Sequence, residues 1–404
     1  MRSTNAPAPT PWGLVILLGS LTALGPLSID MYLPGLPAMG QDLHASASQT
    51  QATVAAFLAG MAVGQVVYGP VSDRVGRKPP ILLGVAIYVA ASVACAMASS
   101  PTLLIGARFV QALGACSGAV IARAAVRDRF DNTETARMLS LLMLIMGLAP
   151  ILAPLLGGLL VTLGGWRANF SLMAGFGIAV GAAAFLRLHE SRSEATSLQA
   201  RAENPLRAYV QLLKQPRLVG YALAAALNGA TLFTYIAASP DLMIKTYGVP
   251  PWAFGLLFGT NAAGLIGGGQ VNRLLLRRLT PDAVLGRASL IAVTIAGLLA
   301  VAAVSGVGGR WTVIPLLFCL LATYGFMQGN AMAGALDVDP ARAGSASALM
   351  GSCSFGLGAL AAAAAGALHD GTPRPMALVM LAALAGSALA THGLALRRGP
   401  TRAT

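Results

Sequence analysis

Gly69-Pro70-Val71-Ser72-Asp73-Arg74-Val75-Gly76-Arg77-Lys78 is the stretch whose reading decides the fold. It closes one apolar run, which begins near Ser48, and a second run opens at Pro80. The glycines permit a tight turn between two helices. Asp73 suits the positive N-terminal end of a neighbouring helix or a basic side chain. Arg74, Arg77 and Lys78 suit headgroups or water. The pattern is that of a loop at a membrane surface, and the rest of the chain has to be tested against it.

Composition agrees. Of 404 residues, 56% are hydrophobic and only 10% charged, with a mean hydropathy of +0.71. A soluble protein carries roughly 25% charged residues, so a soluble multidomain chain is excluded. A net charge of +13 would ordinarily invite nucleic acid. Here the basic residues sit in short gaps between apolar runs, so they record membrane topology and no nucleic acid is expected. Cys95, Cys116, Cys319 and Cys353 lie in apolar segments without metal-type spacing and read as free thiols. The N-terminal apolar run lacks a small-residue cleavage site and reads as an uncleaved span.

A span needs about 20 mostly apolar residues. Twelve candidates emerge, at 12–36, 48–72, 80–99, 101–124, 136–162, 167–187, 217–240, 251–274, 283–306, 311–335, 343–367 and 376–396. Spans 3 and 4 are joined by Ser99-Ser100-Pro101, a tight turn. Placing the N-terminus inside puts 22 basic residues in cytoplasmic segments against 4 in outer ones. That asymmetry predicts both termini in the cytoplasm. The longest polar gap, 188–216, divides the chain into an N-terminal six-helix bundle (1–187) and a C-terminal one (217–404), with a cytoplasmic linker between them. Gly69 to Arg74 is echoed by Gly268 to Arg273, and Thr135-Ala136-Arg137 by Pro340-Ala341-Arg342. The expectation is an all-α integral membrane protein of two parallel six-helix repeats, a transporter architecture.

The complete Gly-x-x-x-Asp-Arg-x-Gly-Arg-Lys pattern of Gly69 to Lys78 resembles the loop 2–3 signature of the major facilitator superfamily. Twelve spans in two halves with a long central loop extend the resemblance over essentially the whole chain. It implies an inner gate built from Gly69, Asp73, Arg74, Gly76, Arg77 and Lys78, with Asp73 docked on the start of span 11 at Gly344-Ser345-Ala346-Ser347. In span 4, Arg108-Phe109-Val110-Gln111-Ala112 resembles the family's Arg-x-x-Gln-Gly pattern, with Ala112 where glycine is usual. In span 5, Ala149-Pro150-Ile151-Leu152-Ala153-Pro154-Leu155-Leu156-Gly157-Gly158 resembles the motif of proton-linked exporters. There Ala149 and Ala153 replace two glycines, while Pro150, Pro154, Gly157 and Gly158 match. Prolines four apart bend a helix, and small residues let helices approach closely.

Span 1 ends in Ser28-Ile29-Asp30-Met31-Tyr32-Leu33-Pro34-Gly35-Leu36-Pro37, which resembles the signature of the bicyclomycin and chloramphenicol resistance (Bcr/CflA) subfamily of drug:proton antiporters. Asp30 is the one acid well inside any of the twelve spans, and an intramembrane acid is by default a functional site. It lies about 9 Å from the outer end of span 1, and Arg108 about 10 Å from the outer end of span 4, at helical rise. The two are therefore expected to share one wall of the cavity that spans 1, 4, 7 and 10 line in that fold, and to couple transport to protons. A cavity that alternately hydrates Asp30 and brings it near Arg108 would change its proton affinity with conformation.

The expected substrate surface comprises Tyr32, Gln111, Asn228, Thr231, Tyr235, Asn261, Tyr324 and Gln328. They would be polar fixtures in a mostly apolar cavity, though interhelical hydrogen bonding suits them equally. The four histidines form no metal cluster and no evident proton relay. No nucleotide-binding or nucleophile motif occurs, so no enzyme activity, metal or cofactor is expected and the energy source is a proton gradient. The resemblance implies a monomeric exporter of small drugs in a bacterial inner membrane. Alternatives are an exporter of an endogenous amino acid or sugar-like metabolite and a non-transporting sensor on the same scaffold.

Overall fold

Helices dominate because a backbone in lipid must satisfy its polar groups internally. The computed structural model describes residues 12–192 and 205–397. The first half comprises α1 (Trp12–Asp30), α2 (Leu36–Asp42), α3 (Ala47–Val75), α4 (Lys78–Ala96), α5 (Pro101–Arg129), α6 (Asn132–Gly164) and α7 (Arg167–Arg187). A short α8 (Pro205–Leu213) follows within the linker. The second half comprises α9 (Pro216–Pro240), α10 (Pro251–Leu275), α11 (Pro281–Ser305), α12 (Arg310–Val338), α13 (Ala343–Ala367) and α14 (Arg374–Ala390). Arg2, Glu194, Arg201, Glu203, Arg398 and Arg402, which entered the reading of topology and linker, lie outside the described residues.

Among the described residues, eleven helical segments are long and apolar enough to cross a membrane. The twelfth expected span, α10, is 25 residues long. It replaces large apolar residues with glycines and with Thr260, Asn261, Gln270 and Asn272, which lowers its hydropathy without shortening it. Span 1 is longer than expected and is interrupted. α1 ends at Asp30, a single 3-10 turn covers Leu33–Gly35, and α2 continues to Asp42. Pro34 and Pro37 cannot donate backbone hydrogen bonds, so the helical ladder is cut just beyond Asp30. Between spans 3 and 4 the turn has its expected cause, because the Ser100 side chain caps α5 by accepting from the Leu103 amide at 3.3 Å.

The halves meet along two seams, α3 against α13 and α6 against α10. On the first, the Ser352 hydroxyl donates to the Ala62 carbonyl at 2.9 Å. On the second, Gly158 lets α6 approach the start of α10, where an added Cβ would lie 3.0 Å from the Pro251 carbonyl oxygen. The large side chains exposed on the outer helix faces are apolar, such as Leu83, Leu163, Phe185 and Leu389, as contact with acyl chains requires.

Candidate functional site

Asp30 sits at the break between α1 and α2 and is 3% exposed. Among the described residues its carboxylate makes no hydrogen bond and no ion pair. Its electrostatic neighbour across the interface between the halves is Tyr235 on α9. The Tyr235 hydroxyl accepts from Asn261 Nδ2 at 2.7 Å, and its ring stacks on Phe258 with centroids 5.4 Å apart. Asp30 therefore faces the second half of the molecule.

Arg108 does not meet it. Arg108 is fully buried inside the first half. Nη2 donates to the Ser28 carbonyl at 2.9 Å and Nη1 to Gln111 Oε1 at 2.6 Å. The guanidinium lies 4.2 Å from the Tyr32 ring centroid and 4.3 Å from that of Phe57, with Phe170 further out at 5.7 Å. Burying a cation on this scale needs compensation, and aromatic faces with two acceptors supply it. The expected common wall is thus corrected. Matching depth left the rotation of α5 undetermined, and that rotation sends Arg108 into an aromatic cage behind α1.

Two residues expected on the substrate surface belong to this cage. Gln111 is wholly enclosed, with Nε2 donating to Ser92 Oγ at 2.8 Å while Oε1 holds Arg108. Tyr32 is 2% exposed and its hydroxyl pairs with Thr53 Oγ1 at 3.1 Å. Both support Arg108, and neither faces open space. Ser28, Ser92, Phe57 and Phe170 complete the network, and of these only Ser28 lies in a stretch that a motif singled out. The remaining surface residues fall in the second half. Asn228 is buried with Nδ2 unpaired. Thr231 bonds back to the Leu227 carbonyl. Tyr324 is half-buried, and Gln328 Oε1 has no partner. Unpaired buried amides are unusual and suit a surface that meets a polar guest.

Of the proline- and glycine-rich residues on α6, Gly157 bears most directly on Asp30. A Cβ there would fall 1.7 Å from the carbonyl oxygen of Met31. The chain bend that carries Asp30 is therefore pressed on bare backbone of α6. Pro154 and Pro150 lie about one and two turns earlier, within the same continuous helix.

Loop 2–3 is built around Arg77. Its guanidinium bonds Asp73 Oδ1 at 2.5 Å, Asp128 Oδ2 on α5 at 2.7 Å and Ser72 Oγ at 2.8 Å. Among the described residues the Asp73 carboxylate makes no hydrogen bond to its expected dock at the start of α13 and is held by Arg77, four residues on. Gly76 has φ +104°, and a Cβ there would meet Glu190 Oε2 at 2.5 Å. Glu190 accepts the backbone N–H of Arg77 and Lys78 and also those of Ser191 and Arg192. Burial pushes the Glu190 carboxyl up, but these amides together outweigh it and hold the pKa below the usual glutamate range. Arg192 in turn donates to the Arg74 carbonyl at 2.5 Å, and Lys78 to that of Phe185 at 2.9 Å. By contrast, a Cβ on Gly69 would touch nothing.

The second half carries a neutral counterpart. Asn272, at the position of Asp73 in the repeat, accepts from Asn330 Nδ2 at 2.9 Å. At the same end of the bundle, Asp339 is held below the usual carboxylate range by Gln215, against the pull of burial, with Arg342 adding to the effect. At the opposite end His369 Nε2 lies 3.0 Å from Asp241 Oδ2, and Lys245 Nζ is 2.7 Å from Oδ1. The i, i+4 spacing of Asp241 and Lys245 was readable; the partnership with His369 was not.

Comparisons with known proteins speak to the family and the fold. The family model described as Major Facilitator Superfamily matches residues 18–363. The uncharacterized MFS-type transporter YdgK of Bacillus subtilis (strain 168) is 34% identical over 396 residues, covering 95% of this chain and 96% of that protein. A bicyclomycin resistance protein homolog of Haemophilus influenzae is 30% identical over 388 residues, covering 96% and 97%. Among solved structures, a D-xylose-proton symporter superposes with a TM-score of 0.74 at 12% identity, over 94% of this chain and 97% of that one. That similarity speaks for the fold alone.

Proposed function

This chain belongs to the major facilitator superfamily of membrane transporters, and on that premise we propose that it is a proton-coupled exporter of small amphipathic or apolar drugs, working by alternating access. The observation that carries the reading is Asp30, a buried carboxylate with no cationic partner among the described residues, set at a break in its helix and facing the other half. An unpaired charge in such a place costs several kcal/mol. Taking up a proton removes that cost, and so does a substrate that binds against the carboxylate. Proton and substrate then compete for one place, and competition of this kind couples their movements.

The break at Asp30 and the contact of Met31 on Gly157 link occupancy to shape. A change of charge at Asp30 acts on the bend, and the bend rests on α6, which forms a seam with the second half. One proton moving down 100 mV releases about 2.3 kcal/mol, enough for roughly a fiftyfold substrate gradient. Arg108 has a positioning role in this scheme, fixing the Ser28 carbonyl and with it the last turn of α1.

The subfamily resemblance and the name of the Haemophilus influenzae relative support an antibiotic of the bicyclomycin or chloramphenicol kind as substrate. The charge asymmetry supports an orientation with both termini cytoplasmic, and the subfamily resemblance supports a monomer in a bacterial inner membrane with loop 2–3 as part of an inner gate. The reading is tested by reconstituting the protein and measuring uptake of a chemically varied drug panel into inverted vesicles. Accumulation driven by an acidic lumen and abolished by a protonophore is expected. Uptake indifferent to the pH gradient for every compound contradicts it.

A further inference from the structure

The linker helix α8 carries an exposed apolar face. At 3.6 residues per turn, Leu206, Val210 and Leu213 fall within about 60° of one another, and they are 70%, 51% and 55% exposed. Ala208 and Leu212 lie on the opposite side and are buried, Leu212 against Leu218 and Ala346. Arg207 and, just past the helix end, Lys214 lie about a quarter turn round from the apolar stripe, both along one edge of it. Both are exposed, and neither forms an ion pair among the described residues. Tyr209 takes the remaining side, within electrostatic reach of Asp73.

With nine residues, α8 is about 13 Å long and too short to span a bilayer. It is nevertheless placed at the membrane surface, since the spanning helix α7 ends at Arg187 and α9 begins at Pro216. A short helix with an apolar stripe bordered by cations has the chemistry of an interfacial helix, whose stripe enters the acyl boundary while its cations meet anionic headgroups. We propose that α8 is a lipid-binding element, lying in the bilayer surface with Leu206, Val210 and Leu213 in the acyl boundary and Arg207 and Lys214 on anionic phospholipid headgroups.

Its buried face gives that contact a consequence. Leu212 packs with Leu218 at the start of α9 and Ala346 in the first turn of α13, while Tyr209 lies within electrostatic reach of Asp73 in loop 2–3. Anionic lipid bound on α8 therefore acts on the place where the halves close at this end. The inference stands on the exposed stripe and its flanking cations, and does not depend on which solute is carried.

The test uses the full-length protein with Cys319 and Cys353 replaced by alanine, reconstituted in phosphatidylcholine vesicles with and without phosphatidylglycerol. Spin labels are placed one at a time through Val210→Cys, Leu213→Cys and Gln211→Cys. With phosphatidylglycerol present, the oxygen-to-nickel accessibility ratio is expected to be several-fold higher at 210 and 213 than at 211. That difference is expected to shrink in pure phosphatidylcholine and on Arg207→Gln/Lys214→Gln. Equal nickel access at all three positions overturns the proposal, as does shielding of 210 and 213 from both reagents, which would mean a protein cover. A depth profile unchanged by removing phosphatidylglycerol overturns the headgroup assignment.

Discussion

The guanidinium of Arg108 is bonded at 2.9 Å to the carbonyl of Ser28, two residues before Asp30, and not to the Asp30 carboxylate. The cation fixes the backbone that presents the acid and leaves the acid itself unneutralised. A salt bridge between them would have set Asp30 against a permanent partner. The actual arrangement keeps the carboxylate available and its position defined.

Arg108 is accordingly expected to tolerate no substitute. Lysine keeps the charge but not the planar fork that serves Ser28 and Gln111 together. Arg108→Ala leaves both acceptors buried and unpaired, a loss of about 3 kcal/mol on the scale for charge-assisted bonds. Thermal unfolding in detergent, followed beside transport, should show Arg108→Lys retaining more stability than Arg108→Ala while both lose transport. Full transport by Arg108→Lys would remove the positioning role.

Gly157 and Gly69 make opposite predictions although both belong to recognisable motifs. A methyl group at 157 collides with the Met31 carbonyl, so Gly157→Ala should insert into the membrane yet lose most transport. Gly69→Ala meets open space and gains helix propensity of up to about 1 kcal/mol. Its transport should be close to wild type, and parallel vesicle assays at matched expression decide the matter.

Glu190 gives a pH signature. Its folded pKa is depressed, so the stabilisation that it lends loop 2–3 is fully present above the unfolded glutamate value of about 4.3. That stabilisation is lost only as pH falls through the lower folded value. Amide protection at Arg77 and Lys78, expressed as protection factors, should therefore stay level from pH 8 to about pH 5 and drop only in stronger acid. Glu190→Ala should abolish that protection at pH 7. Protection that fades between pH 8 and pH 6 would contradict the assignment.

Much of the fold was legible because bilayer thickness imposes a length on every span. Gly-rich α10 was legible as a mostly apolar run at 251–274, although its composition is weaker than that of its neighbours. The first span was misjudged at its end, since Pro34 and Pro37 looked like terminators and are internal breaks with helix on both sides. The site was legible residue by residue and illegible in its pairing. Depth follows from counting residues, so Asp30 and Arg108 were placed at one level. Which way each side chain points depends on helix rotation, and that is fixed by Phe57, Phe170 and Ser92 from three other helices. The same limit hid Glu190, whose partners include the backbone amides of Arg77 and Lys78 more than a hundred residues away.

The central claim is that an unpaired Asp30 carries the proton. The most direct measurement is drug-induced proton release from inverted proteoliposomes holding wild type or Asp30→Asn, each first shown to have the same thermal stability and drug binding. The account predicts drug uptake coupled to proton efflux in the wild type and neither in Asp30→Asn, with binding retained. Undiminished proton-driven uptake by Asp30→Asn would contradict it.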